Sequence, residues 1–134
     1  MPVVNPETIS VGDSGDIVAV RQAVRRQALS INLSLVDQTK IVTAASELAR
    51  NMLLYGGGGQ VTLELLEEGV RRGLRVQFID SGPGIPDVDL AMRDGFTTGS
   101  GMGLGLGGAK RLVNEFKIES ALGKGTRVTI VRWR

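Results

Sequence analysis

The stretch that decides the fold is residues 80–108, DSGPGIPDVDLAMRDGFTTGSGMGLGLGG. It follows an apolar run, Leu74 to Ile79, and its opening, Asp80 to Pro86, cannot prolong a central strand, because proline lacks a ladder donor and glycine weakens the pairing. A loop therefore begins with the carboxylate of Asp80 at the end of a strand, and the glycines at 82 and 84 let the backbone approach a flat ligand closely. That carboxylate suits an exocyclic amine, or equally the local amides of an ordinary turn. A second loop, Arg93 to Gly103, leads into a helix expected from about Leu104 to Phe116. At this junction the run Gly99 to Gly108 removes side chains where backbone N–H groups and the positive end of a helix face outward, which suits a polyphosphate. Gly103 to Gly108 formally matches GxGxxG, but a dinucleotide fold needs that turn directly after a strand, and here a polar loop comes first. No GxxxxGK[ST] occurs, so a P-loop is excluded.

Upstream, Val61 to Leu66 and Leu74 to Ile79 are short and apolar, with the charged EEGVRRG of residues 67–73 between them; they predict a hairpin whose charges are solvated. Before it, Ile41, Ala45, Leu48, Met52 and Tyr55 recur on one helical face and predict a helix from Val36 to about Tyr55, ended by Gly56 to Gly59. Ile17, Val20, Val24 and Leu29 keep rough helical spacing and predict an earlier helix capped by Ser14 or Asp16, after a strand from Thr8 to Val11. Val18 and Ala19 on that helix either meet a partner or complete the core. Downstream, Lys117 to Ala121 and Arg127 to Trp133 read as strands turning at Gly123 and Gly125. The order predicts an α+β fold with helices on one face of a mixed or mostly antiparallel sheet.

The 134 residues suit one domain spanning 1–134, and 42% hydrophobic with 22% charged residues is the balance of a packed chain rather than a disordered one. Cysteine and histidine are both absent, which excludes a disulfide framework, a thiolate zinc site, a cysteine nucleophile, a Ser-His-Asp triad and a phosphohistidine intermediate. The net charge is only +2, with no stripe of basic and aromatic residues, so no nucleic-acid partner is expected. No apolar run approaches the roughly 18 residues that span a bilayer, and the first residues lack the pattern of a signal peptide. A cytoplasmic protein without a membrane partner is the expectation.

Two further constellations carry chemistry. Glu47 and Asn51 lie four residues apart, on one side of the second helix. A carboxylate there can accept a proton, and an amide carbonyl can coordinate a hard cation together with phosphate oxygens; a solvated surface pair is the plain alternative. Gly123-Lys124-Gly125-Thr126 is a hairpin turn, a ligand contact, or both.

Taken in order, Glu47-x-x-x-Asn51, Asp80-x-Gly82-x-Gly84, Gly101-x-Gly103-x-Gly105 and Gly123-x-Gly125-Thr126 resemble the nucleotide-binding boxes of the Bergerat-fold (GHKL) ATPases. That superfamily includes gyrase, mismatch-repair proteins, heat-shock chaperones and histidine kinases; this chain has no histidine to phosphorylate. The stretches SELARNMLLYGGGGQV and DSGPGIPDVDLAMRDGFTTGSGMGLGLGGAKRLVNEF and the ending VRWR look like RsbT-type serine/threonine switch kinases of bacterial partner-switching pathways, a similarity that covers nearly the whole chain.

The resemblance implies a two-layer α/β sandwich that binds ATP and magnesium. In it Glu47 is the catalytic base, Asn51 holds magnesium, and Asp80 receives the adenine amino group beside Gly82 and Gly84. Gly101, Met102, Gly103, Leu104, Gly105, Leu106 and Thr126 bind the nucleotide, Phe96, Thr97 and Thr98 belong to a lid over it, and Lys110 approaches phosphate. The implied substrates are STAS-domain antagonist or scaffold proteins, and the second implied partner is the amino-terminal region of a serine phosphatase. An ATP-gated anti-sigma factor with little catalysis is the competing reading. Two departures stand out: Tyr55, where many members of the superfamily carry His or another polar residue, and the run Gly56 to Gly59, which is expected to loosen the adjoining loop.

Overall fold

The computed structural model describes residues 6–84 and 105–134. In chain order the elements are β1 (Glu7–Val11), α1 (Ser14–Ser30), α2 (Leu35–Gly56), β2 (Gly59–Glu68), β3 (Arg71–Asp80), α3 (Gly105–Lys110), β4 (Glu115–Ser120) and β5 (Thr126–Trp133). The strands form one sheet in the order β1-β2-β3-β5-β4, and each described pairing is antiparallel. The α+β class is as expected, and of the two sheets left open the antiparallel one is present rather than the mixed one.

Register explains why helices cover one face only. Val61, Phe78, Val128 and Ile118 stand opposite one another across four strands, and Leu63, Val76, Ile130 and Phe116 form the next row on the same face. These rows join the buried Val20 and Val24 of α1 and Ile41 and Leu48 of α2 in a continuous core. Full burial of each such side chain contributes about 1.5–3 kcal/mol. The other face mixes the buried Leu66 and Val131 with polar pairs: Arg75 Nε donates to Glu64 Oε1 at 2.8 Å, and the Arg71 guanidinium lies 4.0 Å over the Trp133 ring.

Local chemistry sets the helix ends. The N-cap of α1 is Asp13, not Ser14 or Asp16: its Oδ1 accepts from the Asp16 N–H at 3.2 Å, while Asp16 Oδ2 accepts from the Asp13 N–H at 3.1 Å, a reciprocal capping box. Leu29 leaves the expected buried face and is 54% exposed, because Ala23 and Ala28 occupy the close contact with the core instead. Val18 and Ala19 face solvent, so they do not complete the core. Ser34 caps α2, accepting from the Asp37 N–H at 3.1 Å, and Gly57, at φ 74°, ends it in the left-handed region. Tyr55, expected on the buried side, lies on the exposed side of the last turn.

The largest departure concerns the third helix. It stops at Lys110, and Phe116, expected to close it, belongs to β4. Leu112, Val113 and Phe116 satisfy a helical spacing, yet Phe116 and Ile118 also alternate, and pairing with Ile130 and Val128 on β5 favours the strand. The turn between α3 and β4 is tied to β5 by Asn114, whose N–H donates to the Val131 carbonyl at 2.9 Å and whose Oδ1 accepts from the Trp133 N–H at 2.7 Å. Arg132 adds a second tie, donating through Nη1 to the Leu112 carbonyl at 3.4 Å and through Nη2 to Asp37 Oδ1.

Candidate functional site

The apolar rows of the sheet end in a polar one. Asp80 stands opposite Thr126, and Thr126 opposite Ser120, so three oxygen-bearing side chains cross β3, β5 and β4 on the helix-covered face. Asp80 is still a strand residue, although the sequence suggests that the loop begins there. Its orientation is set locally: Oδ1 accepts from the Gly82 N–H at 2.9 Å, which leaves Oδ2 for another donor.

Close backbone approach builds the floor of this site. A Cβ added at Gly56 would lie 2.5 Å from Asp80 Cγ and 2.6 Å from Oδ2, and one at Gly82 would lie 2.6 Å from the Gly56 Cα. The C-terminal turn of α2 thus packs directly on the Asp80 carboxylate and on the loop after it. Gly56 was missed as a site residue because a glycine at a helix end reads as a terminator, and only its opposition to Asp80 across space gives it this role. Within the run Gly56 to Gly59, Gly56 is helical and Gly59 begins β2; a Cβ at 56, 58 or 59 would meet a neighbour closely, whereas Gly57 faces open space.

The β4–β5 turn closes the other side. The Gly123 N–H donates to the Pro83 carbonyl at 2.8 Å, and a Cβ at Gly84 would lie 2.2 Å from the Ala121 carbonyl oxygen. The turn at Gly123 to Thr126 is therefore both a hairpin and a wall of the Asp80 loop. Ser120, a second residue the sequence did not single out, bonds Thr126 through the two hydroxyls at 2.8 Å. Period-2 alternation places Ser120 on the core face, but its pairing with Thr126 needs the register.

Glu47 and Asn51 lie on α2, with Asn51 about one turn nearer the Asp80 end. Glu47 is 7% exposed, and among the described residues no cation or hydrogen-bond donor is assigned to its carboxylate. The carboxylate is therefore open to a ligand or a substrate hydroxyl that approaches this side of α2. Among the described residues no group of three His, Cys, Asp or Glu side chains is placed to hold a metal ion. Asn51 supplies one hard amide oxygen, which fits magnesium, an ion that commonly takes one or two protein ligands and completes its shell with phosphate and water.

Gly105 opens α3, Leu106 is buried against the core, and Lys110 is exposed at the helix end. Phe96, Thr97, Thr98, Gly101, Met102, Gly103 and Leu104 lie outside the described residues. The structure thus brings Asp80, Gly82, Gly84 and Thr126 together at one end of the sheet, with α2 carrying Glu47 and Asn51 beside it. No helix among the described residues is long and apolar enough to cross a membrane.

An antiparallel sheet covered on one face by helices, with an acid and an amide on the long helix and a carboxylate-glycine loop at the end of a central strand, defines an ATP-binding domain of the GHKL type. Residues 36–134 match the family model of the histidine kinase-, DNA gyrase B- and HSP90-like ATPases, and the chain belongs to that family. Within it the chain stands with the RsbT-type serine/threonine protein kinases: it is 47% identical over 118 residues to the serine/threonine-protein kinase RsbT of Bacillus subtilis, covering 88% of this chain and 89% of that one. It is also 29% identical over 119 residues to an anti-sigma F factor of a Thermoanaerobacter species, covering 84% of this chain and 82% of the relative. In fold it matches the crystal structure of the RsbU and RsbW domains of Rv1364c from Mycobacterium tuberculosis, with a TM-score of 0.68 at 24% identity. That match covers 98% of this chain and about a third, 33%, of the other.

Proposed function

We propose that this kinase acts in a bacterial partner-switching pathway, transferring the γ-phosphoryl group of ATP to a serine or threonine hydroxyl of a STAS-domain antagonist or scaffold protein. Freed from that protein, it binds and activates the amino-terminal region of a serine phosphatase. The observation that carries the catalytic half is the burial of Glu47, one helical turn from Asn51, with no cation assigned to it among the described residues. The kinship with RsbT supports the biological half.

In the proposed reaction the acceptor hydroxyl oxygen bonds to the γ-phosphorus, the bond from that phosphorus to the bridging oxygen breaks to release ADP, and the hydroxyl proton passes to Glu47. Asn51 holds magnesium through its amide oxygen. When bound, that ion neutralises charge on the phosphates. Asp80 accepts from the adenine amino group through the oxygen that Gly82 leaves open, with Thr126 beside it. Glycine amides from 101 to 107 approach the phosphates, and Phe96, Thr97 and Thr98 cover them.

The anti-sigma relatives favour a second reading, in which ATP gates partner binding with little transfer. Incubation with labelled ATP, magnesium and a STAS-domain protein separates the two, with Glu47→Ala in parallel. Label on Ser or Thr that disappears in the variant supports the kinase; ATP binding without label, together with capture of a sigma factor, supports the gate.

A further inference from the structure

The outward ridge of α2 runs beside Glu47. At about 3.6 residues per turn, Thr43, Arg50 and Leu54 fall within roughly 40° of one another, on the side opposite the buried Ile41, Leu48 and Met52. Leu54 is 53% exposed, and Thr43 and Arg50 are half-buried. Arg50 follows Glu47 by less than one turn, about 4.5 Å further along the axis, and directly precedes Asn51. Glutamate and arginine at that spacing commonly pair on a helix surface, yet among the described residues no ion pair joins Arg50 to Glu47 or to any other carboxylate. Among the described residues, then, an unmatched guanidinium with an exposed apolar neighbour one turn beyond it stands next to the carboxylate read as the proton acceptor.

We propose that this ridge docks the acceptor protein and that Arg50 determines its specificity, receiving an Asp or Glu carboxylate that lies within about three residues of the acceptor Ser or Thr. The inference rests on the kinase reading with Glu47 as the base, and adds to it the acceptor sequences that are taken. Geometry confines the segment. The acceptor hydroxyl must come within about 2.6–3.2 Å of the Glu47 carboxylate. An extended chain advances at most about 3.6 Å per residue, so the residues flanking that hydroxyl pass over the helical turns on either side of Glu47. Arg50 occupies the turn on the Asn51 side. A guanidinium holds a carboxylate through two parallel N–H donors, which selects by both charge and shape. A segment with a basic flank meets like charge there and is turned away. Arg50 touches neither the nucleotide nor the transferred group; it chooses the acceptor and leaves the chemistry to Glu47.

The test is phosphoryl transfer from ATP, with magnesium, to a STAS-domain acceptor whose labelled Ser or Thr has been mapped. The wild-type chain is compared with Arg50→Lys, Arg50→Gln and Arg50→Glu, each checked by thermal melting and by its dissociation constant for ATP. Arg50→Gln should raise the KM for the acceptor by about 10-fold or more, with kcat and ATP affinity within about twofold of the wild type. Arg50→Lys keeps the charge without the paired donors and should fall between the two. Arg50→Glu should transfer least to the native acceptor. Replacing the acidic residue nearest the phosphorylated position by Lys should restore transfer by Arg50→Glu and make the acceptor a poor substrate for the wild type. An acceptor KM unmoved in Arg50→Gln and Arg50→Glu overturns the proposal. So does a joint loss of kcat, ATP affinity and stability that no exchange of charge on the acceptor repairs, since that is what support of Glu47 or of the fold would give. A wild-type chain that binds ATP but labels no acceptor overturns the kinase reading itself and this inference with it, an outcome distinct from transfer with an unmoved KM.

Discussion

Substituting Gly56 by alanine opposes two effects of known size. Gly56 is the last residue of α2, and alanine favours a helix over glycine by about 1 kcal/mol, so propensity alone expects a more stable protein. The added methyl, however, would sit 2.5 Å from Asp80 Cγ and 2.9 Å from its Cβ, well inside contact distance. Asp80 Cβ is anchored in β3 and cannot swing clear as the tip of a long side chain can. Overpacking of this kind costs about 1–3 kcal/mol, which cancels the helix gain or exceeds it slightly, and the melting temperature should stay level or fall by a few degrees. Nucleotide binding should suffer far more. A carboxylate moved from its Gly82 anchor loses a charge-assisted hydrogen bond to the base, about 1.5–3 kcal/mol, or roughly 10- to 150-fold in dissociation constant. Titration calorimetry with ATP measures this, with Asp80→Asn as the comparison that removes the charge without the clash. An alanine variant that binds ATP within twofold of the wild type would refute the reasoning, because it would show that the packing of α2 on Asp80 does not hold the carboxylate in place.

Glu47→Gln keeps the shape of the side chain and removes the proton acceptor; phosphoryl transfer should fall by about 10²–10⁴-fold with ATP affinity retained, as single-turnover assays can read. The Arg132 guanidinium, donating to Asp37, holds that carboxyl below the usual carboxylate range. A depressed folded value means the bond stabilises the protein fully above about pH 4, the ordinary Asp value, and that this contribution is lost as pH falls through the depressed one. The gap in melting temperature between wild type and Asp37→Asn should therefore hold from neutral pH to about 5 and close in stronger acid; a gap that widens in acid would contradict the assignment. Ile41→Ala, fully buried in the core, should cost about 2–5 kcal/mol in urea unfolding, whereas Val70→Ala at the exposed β2–β3 turn should cost almost nothing.

The legible part of this protein was local. Apolar spacing along residues 36–55 announced α2, with Glu47 and Asn51 on it, and the paired apolar runs announced the β2–β3 hairpin, because period and turn chemistry are properties of neighbouring residues. The candidate site was legible where glycine and acid fall together, at Asp80, Gly82 and Gly84. It was not legible at Gly56 or Ser120, whose neighbours in sequence say nothing of Asp80 or of Thr126. The end of α3 failed for a related reason: Leu112, Val113 and Phe116 suit a helix locally, and only the pairing with β5 decides against it.

By itself, then, the amino-acid order determined most of the elements, including α2 and the β2–β3 hairpin, and the order of the glycine boxes, since each depends on contacts within a few residues. The tertiary structure alone decided that residues 56, 80, 120 and 126 meet. Asp80, Thr126 and Ser120 become neighbours through the register of three strands, and Gly56 joins them because α2 ends against the last residue of β3. Such meetings depend on where whole elements pack, and that is set by the burial of the apolar rows beneath them rather than by the residues that meet.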